Sequence, residues 1–330
     1  MLAARLYGPR RLVVEDVGHT EPPHGWAVVR SVAVGICGTD KAFYSGTYPL
    51  FKKPLVPGHE VSGVVEEGPE ELKGKLVVSE INFPCGKCSY CRAGLYTHCP
   101  YKKTLGIDFD GGLAERFTAP LNALHVVESL DPVLATEVEP LAAVLNAVEQ
   151  YPLPATALPV IIGSGNLALL TAQVLRLMGF DPLIVARPGS PKAARLAGMG
   201  FRVVDAEEAR RVAREATLEG LGFDAVFEAS GDPGALNLAV ELARPRGLVH
   251  VKSTPGSPVS LNMTTAVVKE LRLVGTRCGT FREFEKAIEL LKRRAVTPLI
   301  TSVFDGIESA PEAFEKSFDR REFKVVIRVQ

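Results

Sequence analysis

The stretch that most limits what this chain can fold into is Val160-Ile161-Ile162-Gly163-Ser164-Gly165-Asn166-Leu167-Ala168. A short apolar run of strand length enters a G-x-G-x-x-A turn, and helix-forming residues follow as far as Met178. In that context Gly163 permits the tight turn and Gly165 the close approach of a pyrophosphate. Ala168 keeps the helix near the strand, and the helix N-terminus faces the phosphates. Gly163, Ser164, Gly165, Asn166 and Leu167 are therefore candidate dinucleotide-binding residues. The pattern around the turn agrees. Leu158–Ile162 reads as a strand, Asn166–Met178 as a helix ended by Gly179, and Leu183–Ala186 as the next strand. A helix at Pro191–Gly200 and a strand at Phe201–Val204 follow, with further strands at Phe223–Glu228, Gly247–Val251 and Leu271–Val274. Alternating strands and helices imply a parallel, doubly wound sheet.

The first third of the chain has another texture. Short Val-rich runs at Arg11–Val14, Trp26–Val34, Val61–Val65 and Lys75–Val78 alternate with Gly and Pro breaks. This predicts a partly closed barrel of short strands. Thr136–Gln150 has apolar residues at helical spacing. Beyond about Arg277 come an amphipathic helix at Phe281–Ala295, a short helix at Ala310–Phe318 and a final strand at Phe323–Val329. That tail is too short to fold alone and is expected to return to the first domain. The expected division is residues 1–140 with 277–330 as one domain and 141–276 as the other.

Four of the six cysteines form Cys85-x2-Cys88-x2-Cys91-x7-Cys99, in a lobe of about residues 84–100. Four thiolates at this spacing suit a closed tetrahedral zinc, which is structural. Gly86 and Gly94 allow the turns between them. Cysteines used as metal ligands belong in a reducing compartment. The N-terminus lacks a signal-peptide core and no apolar run approaches the length of a membrane span. A cytoplasmic protein without membrane attachment is expected. Lys plus Arg and Asp plus Glu number 38 each, so no broad nucleic-acid surface is expected.

A second donor set is spread out. Cys37 lies in Gly35-Ile36-Cys37-Gly38-Thr39-Asp40, and His59 and Glu60 follow a Pro57-Gly58 turn. A thiolate, an imidazole and a carboxylate suit a zinc ion that keeps one coordination place free. Cofactor choice is read from the end of the strand after the glycine turn. An NAD site carries Asp or Glu there, whereas this chain has Ala186 followed by Arg187. Arg187 can reach a 2′-phosphate, which predicts a preference for NADP.

Cys37-Gly-Thr-Asp, Gly58-His-Glu-x2-Gly63, the four-cysteine lobe, Glu139-Pro-Leu and G-x-G-x-x-A occur in that order. The chain resembles the zinc-dependent medium-chain alcohol dehydrogenases over nearly its whole length, and is most similar to their polyol, sugar and threonine dehydrogenase branch. The resemblance implies an α/β protein with a GroES-like partly open barrel and a Rossmann domain. It implies catalytic-zinc roles for Cys37 and His59, with Glu60 as an inner-sphere or exchangeable ligand. Glu139 would bind the zinc directly or through water. Thr39 would take the substrate's proton, and Asp40 would orient the His59 ring. Ser230 and Arg277 join the cofactor-binding candidates. One departure is plain: where the family commonly places a proton-relay His, this chain has Ala42.

The expected activity is hydride transfer between NADP or NAD and a polyol, sugar or secondary alcohol, in a cleft between the domains. A homodimer or homotetramer is expected from the family. Two rivals share parts of the pattern. They are a zinc-independent quinone or enoyl reductase of the same fold and a non-catalytic nucleotide-binding sensor. Tyr44, Tyr48 and Phe51 either line a substrate pocket or pack a loop, and Cys278 reads as structural.

Overall fold

The computed structural model describes residues 1–18, 21–254 and 256–329. The chain divides into two units. One comprises Met1–Ala143, Cys278–Ala295 and Leu299–Gln330, and the other Val144–Arg277 and Val296–Pro298.

The first unit is a partly open barrel. Its main sheet runs Ile300–Asp305, Lys324–Arg328, Trp26–Gly35, Glu60–Glu67, Leu76–Ser79, Leu124–Val126, with Arg116–Pro120 also paired to Trp26–Gly35. Trp26–Gly35 is the organising strand. Its valines and alanines are mostly buried, consistent with a strand covered on both faces. The core joins Val29, Val34, Phe43, Leu55, Leu105, Phe117, Phe314 and Ile327. Fully burying side chains of this size stabilises the unit by about 1.5–3 kcal/mol each. The strand Ile300–Asp305 was not expected from the sequence. It alternates half-buried and exposed residues, Thr301 and Ser302 among them, so its apolar signal is weak. It pairs in parallel with Lys324–Arg328.

The second unit carries a six-stranded sheet in the order Val203–Val204, Leu183–Val185, Pro159–Ile162, Phe223–Glu228, Ala243–Val251, Arg272–Gly275. Every pairing in it is parallel. In chain order this is 3-2-1-4-5-6, the doubly wound topology expected. Three helices here escaped the sequence reading: Ala206–Ala216, Ala235–Leu242 and Met263–Val268. The first buries only Ala209, Val212 and Ala213 beneath a charged face. So small an apolar stripe is hard to see beside six charged residues. Among the described residues no helix is long and apolar enough to cross a membrane.

Candidate active site

Strand register explains why residues far apart in sequence meet. Trp26–Gly35 and Glu60–Glu67 pair antiparallel with Gly35 opposite Glu60. Cys37 lies two residues past the end of one strand, and His59 one residue before the start of the other. Cys37, His59 and Glu60 each offer a ligand atom, and these atoms lie within 4.8 Å of one another. His59 and Glu60 are buried, at 3% and 2% exposure.

Local structure fixes each donor. Cys37 is the N-cap of the helix Gly38–Ser45, a helix not expected from the sequence. The Cys37 sulfur accepts from the Asp40 backbone N–H, and the Cys37 N–H donates to Asp40 Oδ2 at 2.9 Å. The positive end of the helix dipole thus meets the sulfur. Asp40 Oδ1 lies 3.6 Å from His59 Nδ1, so one buried carboxylate steadies both donors. Gly58 adopts φ 98°, a conformation that favours glycine. The turn is gripped from outside by Gly106, Gly111 and Gly112. A Cβ on Gly111 would stand 2.4 Å from Gly58 O, and Gly112 N–H donates to that oxygen at 2.7 Å. In the sequence, only the adjacent glycines Gly111-Gly112 signal this contact, and they carry no motif.

The electrostatics of the site call for a cation. Asp40, Glu60, Glu137 and Glu139 are all buried here, at 1%, 2%, 0% and 7% exposure. Burial works against a charged His59. Even so, Asp40, then Cys37 and Glu139, raise its pKa well above the usual histidine value. Anions that hold a proton on a buried imidazole also hold a metal ion. Lys324 partly offsets them, with Nζ 2.5 Å from Glu60 Oε2 and 3.7 Å from Glu137 Oε1. Burial disfavours its charge, but Glu137, Glu60 and Cys37 outweigh that and keep it protonated. Neither Glu137 nor Lys324 was anticipated. A lysine in a final strand and a glutamate ahead of a helix carry no motif. Glu139, in the first turn of the helix Val138–Gln150, is not among the donors within 4.8 Å but acts electrostatically on His59. The donor set of thiolate, imidazole and carboxylate in an acid-rich pocket fits zinc.

Thr39 is half-buried on the first turn of the Cys37-capped helix. Lys41 turns its ammonium to Ser317 O at 2.9 Å. Tyr44 is a packing residue. Its hydroxyl donates to Glu315 Oε1 at 2.7 Å, and burial together with Glu315 pushes its pKa up to about 12. Tyr48 stacks on Phe43 with ring centroids 5.4 Å apart, while Phe51 is 57% exposed. Cys278 packs against the core of the first unit.

The lobe is separate and self-contained. Cys85, Cys88, Cys91 and Cys99 bring four sulfurs within 4.8 Å, none in a disulfide. Backbone N–H groups of Cys85 and Cys91 point at the sulfurs of Cys99 and Cys88 at 3.4 Å. Gly86 and Gly94 sit at φ 72° and 76°. The set fits a closed structural zinc.

In the second unit Gly163 has φ 126°, and a Cβ there would meet the Ala229 carbonyl at 2.9 Å. At Gly165 a Cβ would meet nothing within 4 Å, so open space lies before the Asn166–Leu177 helix. Ser164 Oγ and Ser190 Oγ are 3.4 Å apart, which sets the loop carrying Arg187 beside the glycine turn. Ala186 is buried and Arg187 exposed. Ser230 is committed locally, its N–H and hydroxyl both donating to Glu228 Oε1. Arg277 is exposed, and its carbonyl accepts from Lys252.

Residues 23–129 match the alcohol dehydrogenase GroES-like domain, and residues 167–293 match the zinc-binding dehydrogenase domain. The sorbitol dehydrogenase of Halalkalibacterium halodurans is 30% identical, covering 88% of this chain and 87% of the relative. The L-threonine 3-dehydrogenase of Pyrococcus abyssi is 30% identical, covering 96% and 94%. A solved structure of similar fold is described as a zinc-binding dehydrogenase from Sinorhizobium meliloti 1021 bound to NADP. It has a TM-score of 0.86 at 29% identity and covers 99% of this chain and 98% of its own. With mixed donors joined by strand register, a four-cysteine lobe and a dinucleotide turn in one chain, this protein belongs to the zinc-dependent medium-chain alcohol dehydrogenases, in their polyol, sugar and threonine dehydrogenase branch, and is an oxidoreductase.

Proposed function

We propose that the protein oxidises a polyol, sugar or secondary alcohol, or reduces the matching carbonyl, with NADP preferred over NAD. The observation that carries this reading is the set of three unlike donors within 4.8 Å in an acid-rich pocket. Cys37 and His59 would hold the catalytic zinc, with Glu60 exchangeable and Glu139 bound directly or through water. Zinc supplies Lewis-acid polarisation, and the nicotinamide accepts or donates the hydride.

The chain's own residues do the rest. Thr39 takes the alcohol proton at its hydroxyl. Ala42 offers no titratable group to continue the relay, and Lys41 is held at Ser317 O, so the proton passes from Thr39 to water. Asp40 orients His59 and Cys37 together. Gly163, Ser164, Gly165, Asn166 and Leu167 cradle the pyrophosphate at the helix N-terminus. Arg187 meets the 2′-phosphate, a reading supported by the buried Ala186 where an acid would favour NAD. Ser230 and Arg277 would border the same cofactor, Ser230 through its backbone since its hydroxyl serves Glu228. We place the enzyme in the cytoplasm as a homodimer or homotetramer, since thiolate ligands need a reducing compartment.

The test is a panel of sugars, polyols and simple alcohols assayed with both cofactors, before and after removal of the catalytic metal. Turnover on at least one alcohol, lost with the metal, is expected. Full activity without metal would overturn the zinc reading. Arg187→Asp should lower the NADP-to-NAD ratio of kcat/KM by about tenfold to a hundredfold, the worth of a charge-assisted hydrogen bond. An unchanged ratio would remove the phosphate role.

A further inference from the structure

Lys324 has two buried acidic neighbours where one would neutralise it. Its Nζ lies 2.5 Å from Glu60 Oε2 and 3.7 Å from Glu137 Oε1. The three side chains are 3%, 2% and 0% exposed. Glu60 also belongs to the donor cluster with Cys37 and His59. It therefore faces two cationic partners, the lysine and the metal. If Glu60 were the lysine's sole partner, turning to the metal would strand a buried ammonium, which is strongly disfavoured.

Glu137 removes that obstacle. We propose that Glu137 is a reserve counter-ion, which keeps Lys324 neutralised when Glu60 turns to the zinc and so sets how readily Glu60 exchanges between lysine and metal. Glu137 is a positioning residue that acts on the metal through Lys324 and Glu60. This rests on the zinc reading above. The backbone leaves room for the Glu60 carboxylate beside the lysine. Gly35 lies opposite Glu60 on one side and Val326 on the other. A Cβ at Gly35 would come 2.6 Å from Glu60 Oε2 and 3.5 Å from Lys324 Cδ. The missing side chain is the space in which the carboxylate sits.

The test uses full-length enzyme loaded with cobalt(II), whose visible absorption depends on the number and kind of its donors. Absorption and chelator-driven cobalt release from the mixed-donor site are compared for wild type, Glu137→Gln, Glu60→Gln and the double variant. Far-UV circular dichroism follows folding. In Glu137→Gln the lysine keeps one anion and pins Glu60. Its spectrum should move toward that of Glu60→Gln, and cobalt release should rise about tenfold, as for the loss of a residue behind a ligand. In the Glu60→Gln background, Glu137→Gln should add nothing. Glu137→Asp, which keeps the charge, should restore the wild-type spectrum. Multiplying effects in the double variant would mean that Glu137 acts only as a general negative charge, and would overturn the proposal. So would an unchanged Glu137→Gln spectrum. Uptake of cobalt by the four-cysteine lobe alone would overturn the zinc-centre reading as well, which separates the two failures.

Discussion

The two candidate metal sites of the first unit are built in opposite ways. The lobe draws four identical donors from Cys85–Cys99, a single stretch of chain, and orients them with its own turns and backbone N–H groups. The other centre draws three different donors from two strand ends. It then surrounds them with Asp40 from the helix that Cys37 caps, Glu137 and Glu139 from around the start of another helix, and Lys324 from the final strand. Like donors in a local loop saturate a tetrahedral ion and leave nothing to react. Unlike donors in a long-range, charged setting leave a coordination place and a means of tuning it. On this reading the lobe would serve stability and the mixed site chemistry.

The sharpest way to break this contrast is to exchange the consequences. Cys37→Ala or His59→Ala should abolish turnover while leaving NADPH affinity and lobe metal content unchanged, by fluorescence titration and metal analysis. An equal loss of cofactor binding would contradict the division of roles. Cys91→Ser in the lobe should do the reverse. It should cost upward of about 4 kcal/mol of stability, as loss of a structural metal does, while residual folded enzyme keeps its kcat. A stable but inactive Cys91 variant would mean that the lobe takes part in chemistry.

A smaller effect should separate the two sites by their surroundings. Asp40→Asn weakens the hold on His59 and on the Cys37 backbone. It should lower zinc affinity at the mixed site by about tenfold to a hundredfold without touching the lobe, measured by chelator competition. Equal loss at both centres would signal general unfolding.

The smallest concerns stability that owes nothing to metal. His125 joins the strand Leu124–Val126 to the helix Phe281–Lys292, with Nδ1 2.6 Å from Glu285 and Nε2 3.2 Å from Glu80. Burial lowers its pKa, but Glu80 and Glu285 raise it further, for a net rise. A raised folded pKa means the stabilisation is complete below the unfolded value of about 6.5 and is lost as pH rises through the folded one. Its size should be about 1 kcal/mol, since Glu285 is half exposed and screened. Comparing Tm against pH for wild type and His125→Asn checks it. Identical profiles would remove His125 from the account.

The same contrast explains what could be read from the sequence. The lobe was legible as spacing, because its geometry is local. The glycine turn was legible too, since strand, turn and helix are contiguous. Cys37 and Gly58-His59-Glu60 were legible as donors, but their meeting depends on Gly35 pairing with Glu60, a register no motif states. Lys324 and Glu137 were not legible at all. Each is one charged residue whose partner lies in a distant segment, and nothing local marks a charge that will be buried. The strand Ile300–Asp305 was lost for a related reason, since a half-exposed edge strand with polar residues has little apolar periodicity.

The central claim is that the separated donors form a metal centre unlike the lobe. Anomalous diffraction at the zinc absorption edge, on crystals of the purified enzyme, tests it most directly. The account predicts one zinc ringed by the sulfurs of Cys85, Cys88, Cys91 and Cys99, and another touched by Cys37 and His59. Zinc in the lobe alone, with Cys37 and His59 bare in enzyme that turns over, would contradict it.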